Sequence, residues 1–142
     1  MENQIRTAKK RDLFRLTQLY EKNGLSPVKT VCDKSVNCIE KFMLDKNHFI
    51  VVCECNGKIS ASCEVSIVPS LTYFSSGTAI VSGMCYESEK NYDQLCLVVA
   101  KIKEITFRLG CKKTVFLNEN CGGFLNSVYM SSGLHRESCY AK

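Results

Sequence analysis

The residues best able to do chemistry in this chain lie in and around the stretch TAIVSGMCYESEKNYDQLCLVVAKIKEITFRL, from Thr78 to Leu109. A hydrophobic strand, Thr78 to Tyr86, runs through a polar turn, Glu87 to Asp93, into a long amphipathic helix. The first turn of a helix presents N–H donors without partners inside the helix, so such a junction is suited to hold an anionic group. Against that use, Glu87, Glu89 and Asp93 put acids into the turn, and Lys90 is its only basic residue. Cys85 and Cys121 are nucleophiles in principle, but no histidine is placed to act as their base, and packing is the stronger reading. Gly122-Gly123 is too short for a phosphate loop and reads as freedom in the turn before a helix.

Ten cysteines and two histidines raise the question of a metal. There is no C-x-x-C pair. Cys53-x-Cys55 alternates along an apparent strand, which puts both side chains on one face and suits burial, and His48 and His135 form no ligand pattern with cysteine. The cysteines are therefore expected to pack as small hydrophobes, with no metal cofactor. At 142 residues, 45% hydrophobic and 23% charged, the chain reads as one globular domain spanning residues 1–142. The net charge of +5 is uneven, with Lys9, Lys10, Arg11 and Arg15 early and Lys101, Lys103, Lys112 and Lys113 late. No continuous basic stripe with interleaved aromatics results, so a nucleic-acid partner is disfavoured. No apolar run is long enough for a membrane span, and MENQIRTAKKRDL lacks the apolar core of a signal peptide. A cytoplasmic protein without a membrane partner is the expectation, and a homodimer is left open.

The elements that would position these residues follow from periodicity. Gln4 to Ala8 can start a strand, and Asp12 to Asn23 reads as a helix through Leu13, Leu16, Leu19 and Tyr20, closed by Asn23-Gly24. Ser35 reads as the N-cap of a short helix carrying Ile39, Phe42 and Met43. His48 to Cys55 and Ile59 to Val68 are strands joined by Asn56-Gly57, the residues a type I′ hairpin turn prefers. Pro69 ends the second of these, and Ser75-Ser76-Gly77 is a turn into the next strand. The helix that follows carries Leu95, Val98, Val99, Ile102, Ile105 and Leu109 on one stripe and ends at Gly110. Thr114 to Leu117 is a short strand, parallel to its predecessor because a helix separates them; Leu125 to Ser132 is a helix and Glu137 to Ala141 a last strand. The expected class is α+β, a mixed and mainly antiparallel sheet with helices on both faces.

In this order the segments resemble the GNAT superfamily of acyl-CoA-dependent N-acetyltransferases over nearly the whole chain. IRTAKKRDLFRLTQLY is similar to that family's first strand and helix, HFIVVCECNGKISASCEVSIVPS to its second and third strands, and AIVSGMCYESE to its fourth. FRLGCKKTVFL is similar to the end of the third helix and the fifth strand, and VYMSSGL to a tyrosine-containing signature that takes in Tyr129 and Gly133. The resemblance implies a slot between the fourth and fifth strands for the arm of acetyl-CoA, alongside Met84, Cys85 and Tyr86. It implies a diphosphate site on the turn whose signature, [RQ]-x-x-G-x-[GA], aligns with Asn91, Gln94 and Cys96, flanked by Tyr92 and Leu95. The family's first residue and both glycines are absent here, and glycine matters because a phosphate must approach the backbone with no Cβ in the way.

The activity implied is direct attack of an amine on an acyl thioester. By resemblance Tyr129 is the acid for the leaving thiolate, and a backbone N–H near Met84 or Cys85 is the donor for the carbonyl oxygen. Ser82 stands near the position where family members often carry a glutamate base, which leaves Glu64 as the substitute, acting directly or through water. Asn120, with Asn118 and Asn126 nearby, lies where the family often sets an asparagine against the cofactor arm. Two readings stay open: an N-acetyltransferase using acyl-CoA and an unidentified amine acceptor, or a domain of this fold that has lost CoA binding and binds another ligand or a partner. The first is preferred because Tyr129 is present.

Overall fold

The computed structural model describes residues 2–25, 33–71, 75–118 and 123–136. Five strands form one sheet in the order β1 (Asn3–Thr7), β2 (His48–Cys55), β3 (Lys58–Ser70), β4 (Ser75–Tyr86) and β5 (Lys113–Phe116). Successive strands are antiparallel except the last pair, in which β4 and β5 run parallel on either side of helix α3 (Tyr92–Arg108). The other helices are α1 (Leu13–Lys22), α2 (Asp33–Leu44) and α4 (Gly123–Ser131).

The centre of the sheet is covered on both faces, and β2 shows why. Its residues alternate between two cores: Val51 and Cys53 pack towards α3 and α4 with Val65, Val81, Leu95, Val98, Val99, Ile102 and Val128, whereas Ile50 and Val52 pack against Leu16 and Leu19 of α1. A two-sided strand of this kind needs apolar residues at every position, which FIVVC supplies. The β2–β3 hairpin turns on Asn56 (φ 52°) and Gly57 (φ 80°), the two positive values that a type I′ turn requires. The entry to α1 is fixed by Asp12, whose buried carboxylate accepts from the Arg6 guanidinium at 2.7 and 3.0 Å and from the Lys9 N–H at 2.7 Å. The Arg6 contact holds that carboxyl below its usual range. α3 ends in a Schellman motif: the Cys111 N–H donates to Thr106 O and the Gly110 N–H to Phe107 O, with Gly110 at φ +80°.

Several sequence expectations need correction. Pro69 does not end its strand; β3 continues to Ser70, and the proline sits at a register shift between Val68 and Ser70, where a missing N–H does no harm. Ser75–Gly77 is strand, not turn, since Ser75 already pairs with Ser70. α2 begins at Asp33, so Ser35 lies within its first turn rather than at its N-cap. Leu109 is 44% exposed because it caps α3 beyond the last full turn, and Thr106 takes the buried place, its hydroxyl donating to Ile102 O. The expected last strand, 137–141, lies outside the described residues.

Candidate functional site

A candidate site opens where β4 and β5 separate. They pair from Thr78↔Lys113 to Val81↔Phe116, and the last bond between them runs from the Leu117 N–H to Val81 O, 2.8 Å. β4 then continues to Tyr86 with β3 as its only strand neighbour among the described residues. The cause is local. Ser82 faces Glu64 and Cys85 faces Ser62, so three steps along β4 match two along β3, and the extra residue is a bulge at Gly83, φ +62°. A side chain at that φ is strained, which explains the glycine. Bulges bend the strand that carries them, and here β4 leaves β5 just before the bulge.

Tyr129 and Glu64 flank this opening from opposite faces of the sheet. Tyr129, on the buried side of α4, donates its hydroxyl to Leu117 O at 3.1 Å and packs its ring 5.7 Å from that of Phe116. Glu64 alternates with the core residues Cys63 and Val65 and so faces α1, half-buried. Its side chain crosses the bulge: a Cβ on Gly83 would meet Glu64 Cγ at 3.8 Å. Met84 and Cys85 are buried beside it, and burial pushes the Cys85 thiol up to about 12, which argues for a packing role.

At the end of β4 the chain enters a 3-10 turn, Glu89–Asn91, before α3. Asn91 serves this turn, its Oδ1 accepting from the Ser88 N–H at 3.0 Å, while the Ser88 hydroxyl accepts from the Lys90 N–H at 3.3 Å. Tyr92 hydrogen-bonds through its hydroxyl to Ser131, and its ring meets Phe124 at 6.0 Å; Phe124 in turn meets Tyr86 at 4.8 Å. Gln94 is buried, and its Oε1 has no hydrogen-bond partner among the described residues. Leu95 is fully inside the core, which leaves only its backbone for a ligand, and Cys96 lies near Ser131. Glu87 is directed away from this turn. Lys22 and Arg15 of α1 both bind its carboxylate and hold it down to about 2. Glu89 and Asp93 are exposed.

Asn120 and Cys121 lie outside the described residues. Asn118 is half-buried just past β5, and Asn126 is exposed on α4. His48 is far from the opening, at the start of β2, where it pairs with Asp45 at 3.7 Å and lines a groove of about 500 Å³ with Ile105 and Leu109. No group of metal-binding side chains occurs among the described residues, and none of their helices is long and apolar enough to cross a membrane. Sequence reasoning missed the bulge, although an isolated glycine within a strand pattern signals one. It also missed the Arg15–Glu87–Lys22 cluster, whose members are too far apart in the chain for any spacing rule.

The sheet order, the single parallel pair and the separated strand ends define the acyl-CoA N-acyltransferase, or GNAT, fold of class α+β. Solved structures share it along nearly their whole length. A glucosamine-6-phosphate N-acetyltransferase from Arabidopsis thaliana is similar at TM-score 0.80 and 21% identity, over 100% of this chain and 97% of that one. An acetyltransferase from Trypanosoma brucei is similar at TM-score 0.80 and 14% identity, over 99% and 98%. A transcriptional regulator from Bacillus halodurans C-125 is similar at TM-score 0.83 and 19% identity, over 99% and 98%. No protein-family model matches the chain, and no curated protein sequence matches it. At these identities the likeness establishes the fold.

Proposed function

We propose that the chain is an N-acyltransferase that accepts an acyl group, acetyl in the first instance, from acyl-CoA and passes it to an amine. The observation carrying this reading is the parting of β4 from β5 at Val81 and Phe116, flanked by Tyr129 on one face and Glu64 on the other. The residues present fit such a cofactor. An extended amide-bearing arm pairs naturally with a strand edge, which β4 offers from Ser82 to Cys85; at Tyr86 the backbone N–H and C=O are taken by the Asn23 side chain, at 3.3 and 2.9 Å. Of the backbone groups at Asn91, Tyr92, Gln94, Leu95 and Cys96, those of the first turn, Tyr92 to Gln94, would face a diphosphate at the start of α3; the Asn91 N–H is taken by Ser88 O, and those of Leu95 and Cys96 lie beyond the first turn.

Bound acyl-CoA would supply an activated thioester carbonyl. The chain's own part is then threefold. A backbone N–H at Met84 or Cys85 would take the carbonyl oxygen; Glu64 would take the proton of the acceptor amine; Tyr129 Oη would hold the proton that the departing thiolate needs. The drawing of Glu87 onto α1 supports the reading, because it takes an acid away from the proposed diphosphate site.

A second reading, a domain that has lost CoA and binds another ligand or a partner, draws on the Tyr86–Phe124–Tyr92 ring cluster at the end of the opening and on the lack of signature glycines. Calorimetry separates the two. Acetyl-CoA should give saturable heat, and Tyr129→Phe should lower kcat by about 100-fold with KM little changed, as for loss of a positioned acid. No heat at millimolar acetyl-CoA would sink the enzyme reading.

A further inference from the structure

Beneath α1, next to the bulge, two hydroxyls are buried without hydrogen-bond partners among the described residues: Tyr20 Oη and Ser62 Oγ. Ser62 is completely inaccessible and lies two residues before Glu64 on β3, so the two side chains share the α1 face of the sheet. Tyr20 comes down from α1 onto the apolar cluster containing Cys85, and Cys85 lies opposite Ser62, its Sγ 3.6 Å from Ser62 O. Burial pushes the Tyr20 phenol up, with Cys85 and Glu64 acting in the same direction, while the neighbouring Ser62 hydroxyl, too far for a well-formed hydrogen bond, acts against them.

A buried hydroxyl left unbonded is costly, and native interiors relieve such sites with internal water when two or more polar groups converge. Here two hydroxyls do so, and the Glu64 carboxylate lies on the same face of the sheet as Ser62. We infer that Tyr20 and Ser62 hold an ordered water beside Glu64 and act through it as positioning residues, fixing the orientation and proton affinity of the carboxylate. The inference rests on the acyltransferase reading, in which Glu64 receives the amine proton. Among the described titratable groups, Tyr20 of α1, Cys85 of β4 and Cys63 on the opposite face of its own strand each feel the Glu64 charge, and Arg15 of α1 acts on Cys85.

A water donating to the carboxylate favours its charged form, so its loss raises the pH at which Glu64 becomes a base. Tyr20→Phe and Ser62→Ala should each move the acidic limb of the kcat/KM profile upward by about one pH unit, the scale of one hydrogen bond to a charged group. Each should also lower the melting temperature, and a high-resolution crystal structure should show the water in the wild type and not in the variants. Unmoved acidic limbs together with unchanged or raised melting temperatures overturn the inference, because removing a hydroxyl that binds nothing costs nothing. Glu64→Gln keeps this outcome distinct from failure of the acyltransferase reading. If it abolishes turnover while the two hydroxyl variants change nothing, only the water site falls. If it leaves turnover intact, Glu64 is not the base and the positioning role falls with it.

Discussion

Replacing Glu87 by glutamine removes the carboxylate that ties the end of β4 to α1. Lys22 and Arg15 bind that carboxylate from α1 and hold it at about 2, against an ordinary value of 4.5. That difference of about 2.5 in pKa, at about 1.4 kcal/mol per unit, gives a ceiling of about 3.5 kcal/mol. The Glu87 side chain is 32% exposed, and water screens the pair, so the realistic contribution is about 1–2 kcal/mol. Folding depresses this pKa, so the stabilisation is complete above pH 4.5 or so and is lost as pH falls towards about 2, with more than half gone by pH 3. Urea unfolding of wild type and Glu87→Gln should therefore differ by about 1–2 kcal/mol at pH 7 and by less than half that at pH 3. A difference that is absent at pH 7, or equal at the two pH values, would refute the assignment of that stability to the ion cluster.

Gly83→Ala should cost about 1–2 kcal/mol, seen as a melting temperature lower by several degrees, because φ +62° is unfavourable for any side chain. The new Cβ would make only an ordinary contact with Glu64 at 3.8 Å, so an unchanged melting temperature would mean that the bulge does not need glycine. Alkylation in native buffer followed by peptide mass mapping should label exposed Cys38 and spare Cys53, Cys63 and Cys85, whose burial raises their pKa values. Labelling of Cys85 at the rate of Cys38 would contradict its packing role.

The fold was legible because its signals are local. Asn56-Gly57 announces the hairpin, the spacing from Leu95 to Ile102 announces α3, and the helix between two apolar strands announces the parallel pair. The strand ends at Pro69 and Ser75 were misread because pairing with a neighbouring strand overrides the local preference of proline and serine. The site was legible only in outline. Tyr129 and the strand-to-helix turn could be picked out by position, but the acids of that turn could not be sorted by sequence. Glu87 differs from Glu89 only in having Arg15 and Lys22 within reach, and that depends on α1 packing across the end of β4. Tyr20 and Ser62 likewise look like ordinary helix and strand residues until the register brings them together.

The uneven ladder along β4 also sets how the molecule opens. On one side β4 is joined to β3 over nearly its full length; on the other, β5 is held by four residue pairs, the flanking Lys112–Gly77 and Leu117–Val81 bonds, the Thr114–Thr106 hydroxyl bond and the Tyr129 hydroxyl. β5 and α4 therefore form a unit less secured than the β2–β3 hairpin, and the β5 amides should exchange with solvent well before those of β2 and β3. Opening that unit widens the gap between β4 and β5 without disturbing the hairpin core. Any ligand lodged there would slow exchange in β5 first, which makes that short strand a reporter of occupancy even when the ligand is unknown.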